Sequence, residues 1–93
     1  MSDVINDLQG SRFVIAIEGF EAYVLYMEDK ETLDLYSTFT PRELRGKGLA
    51  EKVVKAAFEY ARKKRLKVIP TCPYIHTFLE RNPDYKKSAV IKN

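Results

Sequence analysis

Gly46 and Gly48 stand one residue apart at the junction of two very different stretches. Before them, Thr32–Thr40 alternates as a strand does. After them, Leu49–Lys64 repeats its apolar residues at helical spacing. Glycine carries no Cβ, so the chain can turn sharply here and a ligand can approach the backbone closely. The first turn of a helix leaves N–H groups unpaired, and the helix dipole adds partial positive charge. Flanked by Arg45 and Lys47, the segment Arg45-Gly46-Lys47-Gly48-Leu49-Ala50 predicts a pocket for a phosphate or diphosphate. On these residues alone, a strand-to-helix turn in which glycine only eases the geometry accounts for the pattern equally well. The surroundings decide between the two.

A chain of 93 residues holds one domain, with room for one sheet and one or two helices. An apolar fraction of 45%, with six tyrosines and five phenylalanines, belongs to a folded protein. Sixteen Lys and Arg against thirteen Asp and Glu give +3, which admits an anionic ligand without demanding nucleic acid. Lys52, Lys55, Arg62, Lys63 and Lys64 lie along the helical run. They read either as a solvated face or as a phosphate-attracting rim. Glu51 with Lys55, and Glu59 with Lys63, have the i,i+4 order that favours an exposed face. No aromatic residue interleaves with these cations on the exposed face, so nucleic-acid binding is the weakest reading. Cys72 is the one cysteine, which excludes an internal disulfide and fits a reducing compartment. No apolar run approaches the ~20 residues of a membrane span, and Met1–Gly10 lacks a secretory core. The expectation is a cytoplasmic protein with no membrane contact, as a monomer or homodimer.

In chain order, residues 1–10 are expected as a flexible tail and 11–93 as a single domain. Arg12–Ile17, Ala22–Met27 and Thr32–Thr40 predict an antiparallel three-strand meander. In the third strand Leu33, Leu35, Ser37 and Phe39 share one face by simple alternation. Ala50, Val53, Val54, Ala57, Phe58 and Ala61 make a single apolar stripe on the long helix. Leu66–Thr71 follows as a fourth strand, parallel to the third because a helix crosses between them. Pro41 and Pro70 weaken pairing at the strand ends, which are expected to splay. Tyr74–Arg81 is a short helix stopped at Asn82-Pro83. The fold class is therefore α+β, with helices laid on a mixed sheet.

Two phosphate motifs fail here. A P-loop requires Ser or Thr after Gly-Lys, and Lys47 precedes Gly48. The dinucleotide fingerprint requires a third glycine and an early βαβ unit. What remains resembles the acetyl-CoA site of the GNAT superfamily of N-acetyltransferases, whose Arg/Gln-x-x-Gly-x-Gly/Ala signature is met at Arg45, Gly48 and Ala50. Around it, Thr38-x-x-Pro41, Leu44, Ala61-Arg62, Val68-x-Pro70-x-Cys72-Pro73-Tyr74 and Asn82-Pro83-Asp84-Tyr85 are similar to a small, minimal GNAT-like subfamily. The likeness spans about residues 12–86.

The resemblance implies an acetyl-CoA-dependent N-acetyltransferase moving acetyl from the thioester to an amine of a protein, peptide or small molecule. It implies that the backbone N–H groups of Arg45, Gly46, Lys47, Gly48, Leu49 and Ala50 hold the diphosphate, with Leu44 also at the cofactor. It implies that Thr38, Phe39 and Thr40 run beside the pantetheine arm, and that Cys72 and Tyr74 lie where the acetyl group sits. Cys72 then reads as an acetyl-accepting or proton-donating thiol, or as a small lining residue. Tyr74 reads as an acid to the leaving thiolate, or as packing. His76, the one histidine, reads as a general base if it faces the cleft. A metal site is not expected from one Cys and one His. The ordinary family domain has two helices between its first and second strands; here only the turn near Gly19 stands there. That departure leaves a non-catalytic CoA-binding or protein-interaction module as the alternative.

Overall fold

Alternation in the first half of the chain resolves into four strands: β1 Ile5–Asp7, β2 Arg12–Ile17, β3 Phe20–Glu28 and β4 Thr32–Phe39. Helix α1, Leu49–Lys64, follows a 3-10 turn at Arg42–Leu44. Strand β5, Lys67–Ile69, helix α2, Pro73–Arg81, and a 3-10 segment, Pro83–Ser88, complete the order. This computed structural model describes residues 3–90; residues 1–2 and 91–93, the ends of the expected tail and domain, lie outside the described residues. The sheet order is β1-β2-β3-β4-β5, antiparallel until the parallel β4–β5 pair. The expected meander, long helix, parallel strand and short helix are all present.

α1 buries Leu49, Val53, Val54, Ala57, Phe58 and Ala61. They meet Phe13, Ile15, Ala22, Val24, Leu33 and Leu35 from the sheet in one core. Each large apolar side chain so buried contributes roughly 1.5–3 kcal/mol. A helix of this length is marginal by itself, so this burial is what holds it. Ala22, Ala57 and Ala61 are wholly buried, and their short side chains let helix and sheet approach closely.

The sheet departs from expectation at two places. First, Ile5–Asp7 pairs with β2 as an edge strand where a loose tail is expected. Polar groups hold it. The Asp7 carboxylate accepts from the Gly10 amide at 3.1 Å and from Arg12 Nε at 2.9 Å. The Tyr26 hydroxyl donates to Asn6 Oδ1 at 2.7 Å. Ile5 remains 63% exposed, so no hydrophobic pattern marks the strand. Second, Tyr26 pairs with Leu35 but Leu25 pairs with Ser37, leaving Tyr36 as an extra residue in β4. A bulge of this kind reverses the alternation beyond it. Thr38 therefore joins Leu33 and Leu35 on the α1 face, opposite Val24. Phe39 turns to the other face beside Tyr23, with ring centroids 5.4 Å apart. The simple alternation that groups Phe39 and Ser37 with Leu35 does not hold.

β5 pairs with β4 only over Thr32–Asp34. One more bond, from the Cys72 amide to the Leu35 carbonyl at 2.9 Å, closes the pairing. Beyond it the two strands part, as expected from Pro70. In place of the Glu51–Lys55 and Glu59–Lys63 pairs, Glu59 meets Arg62 at 3.6 Å and both carboxylates also reach beyond the helix. Glu51 accepts from Asn82 Nδ2 at 3.2 Å, and Glu59 accepts from the Tyr85 hydroxyl at 2.6 Å. These bonds tie α1 to the segment after α2, where Tyr85 also packs on Phe58 and Phe78.

Candidate functional site

Buried Leu44 anchors the 3-10 turn that delivers the chain from β4 to α1. Gly46 then takes φ +81° and Gly48 φ +71°, both left-handed. A Cβ built on either would meet no atom within 4 Å, so the dihedral, not crowding, calls for glycine. The same openness leaves the backbone bare toward solvent. Gly48 caps α1 with no side-chain bond. Among the described residues the amides of Gly48, Leu49, Ala50 and Glu51 have no acceptor. Four such donors at the positive end of a four-turn helix favour an anion.

They open on a cleft of about 210 Å³. Thr40, Leu44, Arg45, Gly46, Gly48, Leu49 and Ala50 line it on the turn side, and Tyr74 and Arg81 of α2 face them. Arg45 Nε makes a long bond to the Thr40 carbonyl, at 3.4 Å. Lys47 is exposed beside the cleft without lining it. Thus most residues expected around a diphosphate converge on one cavity.

Arg81 and Glu51 also line this cleft, and neither is anticipated as a site residue. Tyr74 and Arg81 are seven residues apart, two helical turns, and so share a face. That spacing is the signal that identifies Arg81. Burial pushes the Tyr74 phenol above its usual value; Glu51 adds to the rise and Arg81 opposes it. Tyr74 is therefore a neutral hydroxyl near pH 7, able to donate a hydrogen bond or a proton.

Cys72 is the N-cap of α2, 8% exposed, at the point where β4 and β5 part. Its Sγ lies 3.5 Å from Thr38 Oγ1. Neither residue lines the cleft. Thr38 precedes Thr40, which does, by two residues, about 7 Å of extended chain. The thiol pair thus sits one strand step beyond the cavity. His76 is exposed on α2 and does not line the cleft, and the Phe39 side chain lies on the opposite sheet face. Among the described residues no group of three His, Cys, Asp or Glu is arranged to hold a metal ion.

A strand-to-helix glycine turn under a splayed mixed sheet defines an acyltransferase-like architecture, and comparison with known proteins agrees. The family model for GCN5-related N-acetyl-transferases matches residues 12–88. Protein NATD1 of Xenopus tropicalis is 34% identical over 83 residues, 86% of this chain and 76% of the relative. The Danio rerio protein of the same name is 35% identical over 83 residues, with the same shares covered. The solution structure of a GCN5-like protein from Staphylococcus aureus superposes with a TM-score of 0.70 at 26% identity. That match covers 89% of this chain and 84% of that one. The chain belongs to the GCN5-related N-acetyltransferase family.

Proposed function

We propose that this protein is an acetyl-CoA-dependent N-acetyltransferase whose acceptor is an amine of a protein, peptide or small molecule. The observation that carries the reading is the row of unpartnered amides from Gly48 to Glu51, opening on a cleft with Arg45 and Arg81 on its walls. Bare donors, a helix dipole and two guanidinium groups suit a diphosphate. Acetyl-CoA, when bound, supplies an acetyl group activated as a thioester. Leu44 to Ala50 hold its diphosphate. The stretch of β4 from Thr38 through Phe39 to Thr40, beyond the last bond from β5, offers main-chain donors and acceptors to its amide-bearing arm.

The remaining chemistry is a proton balance. A neutral amine attacks the thioester carbon, the carbon–sulfur bond breaks, and the departing thiolate needs a proton. Tyr74, held neutral by burial, supplies it, and the proton lost by the amine returns the phenol to its acid form through solvent. Cys72, packed against Thr38, lines the approach to the thioester. His76, out in solvent on α2, takes no part in this scheme. Among the described residues no helix is long and apolar enough to cross a membrane, and a reducing, cytoplasmic setting suits the lone thiol.

A second reading, a CoA-binding or interaction module without turnover, is favoured by one observation. Only Glu18 and Gly19 separate β2 from β3, so no helix stands there to enclose an acceptor amine. Calorimetry with acetyl-CoA, followed by mass spectrometry of an amine and peptide panel, separates the two. Binding with acetylated product supports the enzyme; binding without product supports the CoA-binding module; no binding at millimolar ligand removes both and leaves only an interaction module. Arg45→Ala and Lys47→Ala are each expected to weaken binding by about 1–3 kcal/mol.

A further inference from the structure

α1 and α2 pack on the same side of the sheet, Phe58 of one stacked on Phe78 of the other at 5.2 Å. Among the described residues no helix covers the opposite face, on which Phe39 lies 48% exposed. There, where the β2–β3 turn meets the end of β4, is an open cavity of about 420 Å³, twice the size of the glycine-turn cleft. Its walls include Phe20, Tyr23, Phe39 and Glu21. Exposed aromatic rings grouped beside a carboxylate mark a binding surface more than a packing defect.

The local charge is opposite to that of the whole chain. Asp7 and Glu21 share Arg12, with contacts of 2.9 and 3.0 Å, and Glu18 beside the cavity adds a further carboxylate. Arg42 and Glu43, just past Pro41, offset one another. This corner is therefore net negative on a protein of +3. One ring of the cavity already carries a cation, the Arg12 guanidinium 5.2 Å from the Tyr23 centroid. A carboxylate offers more lone pairs than Arg12 uses, so Glu21 can accept again.

From this we infer that the Tyr23–Phe39 pair with Glu21, on the cavity wall, binds a lysine side chain of a polypeptide partner. The apolar stem lies on the Tyr23 and Phe39 rings, whose centroids are 5.4 Å apart, and the ammonium is held by their faces and by Glu21. An ammonium so held stays protonated and cannot attack a thioester. The cavity thus anchors a lysine that flanks the acceptor amine, and the acceptor amine itself reacts elsewhere. This use of the cavity rests on the acetyltransferase reading; the binding does not.

The test is an amide-resolved NMR titration without acetyl-CoA, using N-acetyl-Gly-Lys-Gly-amide and its norleucine counterpart. The lysine peptide is expected to shift Gly19, Phe20, Glu21 and Phe39, and the norleucine peptide to do so far less. Phe39→Leu, which keeps the apolar bulk, and Glu21→Gln should each weaken lysine-peptide binding about two- to fivefold. Each variant's own spectrum reports whether it remains folded. Equal shifts from both peptides would reduce the cavity to an apolar patch, and no shifts here, or shifts elsewhere, would overturn the proposal. Adding acetyl-CoA afterwards to the same sample tests Gly46, Gly48 and Ala50 separately, so failure at one site is distinct from failure at the other.

Discussion

Cys72 Sγ and Thr38 Oγ1 lie 3.5 Å apart although 34 residues separate them in the chain. The contact exists because the extra residue Tyr36 turns Thr38 onto the α1 face, while Pro73 starts α2 and leaves Cys72 as its cap. The place where β4 and β5 separate is thus lined by a thiol and a hydroxyl.

Cys72→Ala removes a buried sulfur and its hydroxyl contact, with a cost of about 1 kcal/mol in urea unfolding. Acetyl transfer is expected to persist in this variant, and mass spectrometry of the wild type after acetyl-CoA treatment should show no acetyl on Cys72. An acetylated thiol together with a dead variant would make Cys72 the nucleophile.

Gly48→Ala forces a side chain into φ +71° without any clash. The expected loss is about 1–2 kcal/mol of stability, measured by urea denaturation. The new methyl also projects into the open space at the turn, so acetyl-CoA affinity should fall further than stability does. Unchanged affinity would show that the ligand does not approach the turn.

Tyr74→Phe keeps the packing and removes the proton. It is expected to lower turnover by 10²- to 10⁴-fold, roughly the usual worth of a general acid, with acetyl-CoA affinity nearly unchanged. In the wild type the Tyr74 pKa is raised by burial, so a fall in turnover caused by its ionisation is expected above the ordinary tyrosine range. Full activity in the variant would return the proton transfer to water.

Stability should fall at both ends of the pH scale. Burial raises the Tyr26 phenol, and hydrogen bonding to Glu59 raises that of Tyr85. The folded state then holds these protons more tightly than the unfolded chain. Their contribution is intact below about pH 10 and is lost as pH rises through the folded-state values. Asp7 is lowered chiefly by the Arg12 hydrogen bond and Glu28 by that of Tyr60. Their contribution is present above about pH 4 and disappears as pH falls through the lowered values. Urea midpoints across pH measure both limbs, and Tyr26→Phe should flatten the alkaline one.

The long helix was legible because its apolar stripe repeats at a helical period, and α1 begins and ends at the expected Leu49 and Lys64. The glycine turn was legible because positive φ at Gly46 and Gly48 has a residue-level signature. The bulge at Tyr36 was not, since it is set by pairing with β3 across the sheet and leaves no local mark. β1 was not, because it is held by the polar groups of Asn6 and Asp7 with Ile5 in solvent. Glu51 reads as a surface charge until Asn82, from a distant segment, meets it.

A crystal structure with CoA bound tests the central claim directly. The account predicts diphosphate oxygens within hydrogen-bond distance of the Gly48–Glu51 amides, with Arg45 and Arg81 on either side. CoA seated at another surface, or absent from crystals soaked at millimolar concentration, would contradict it.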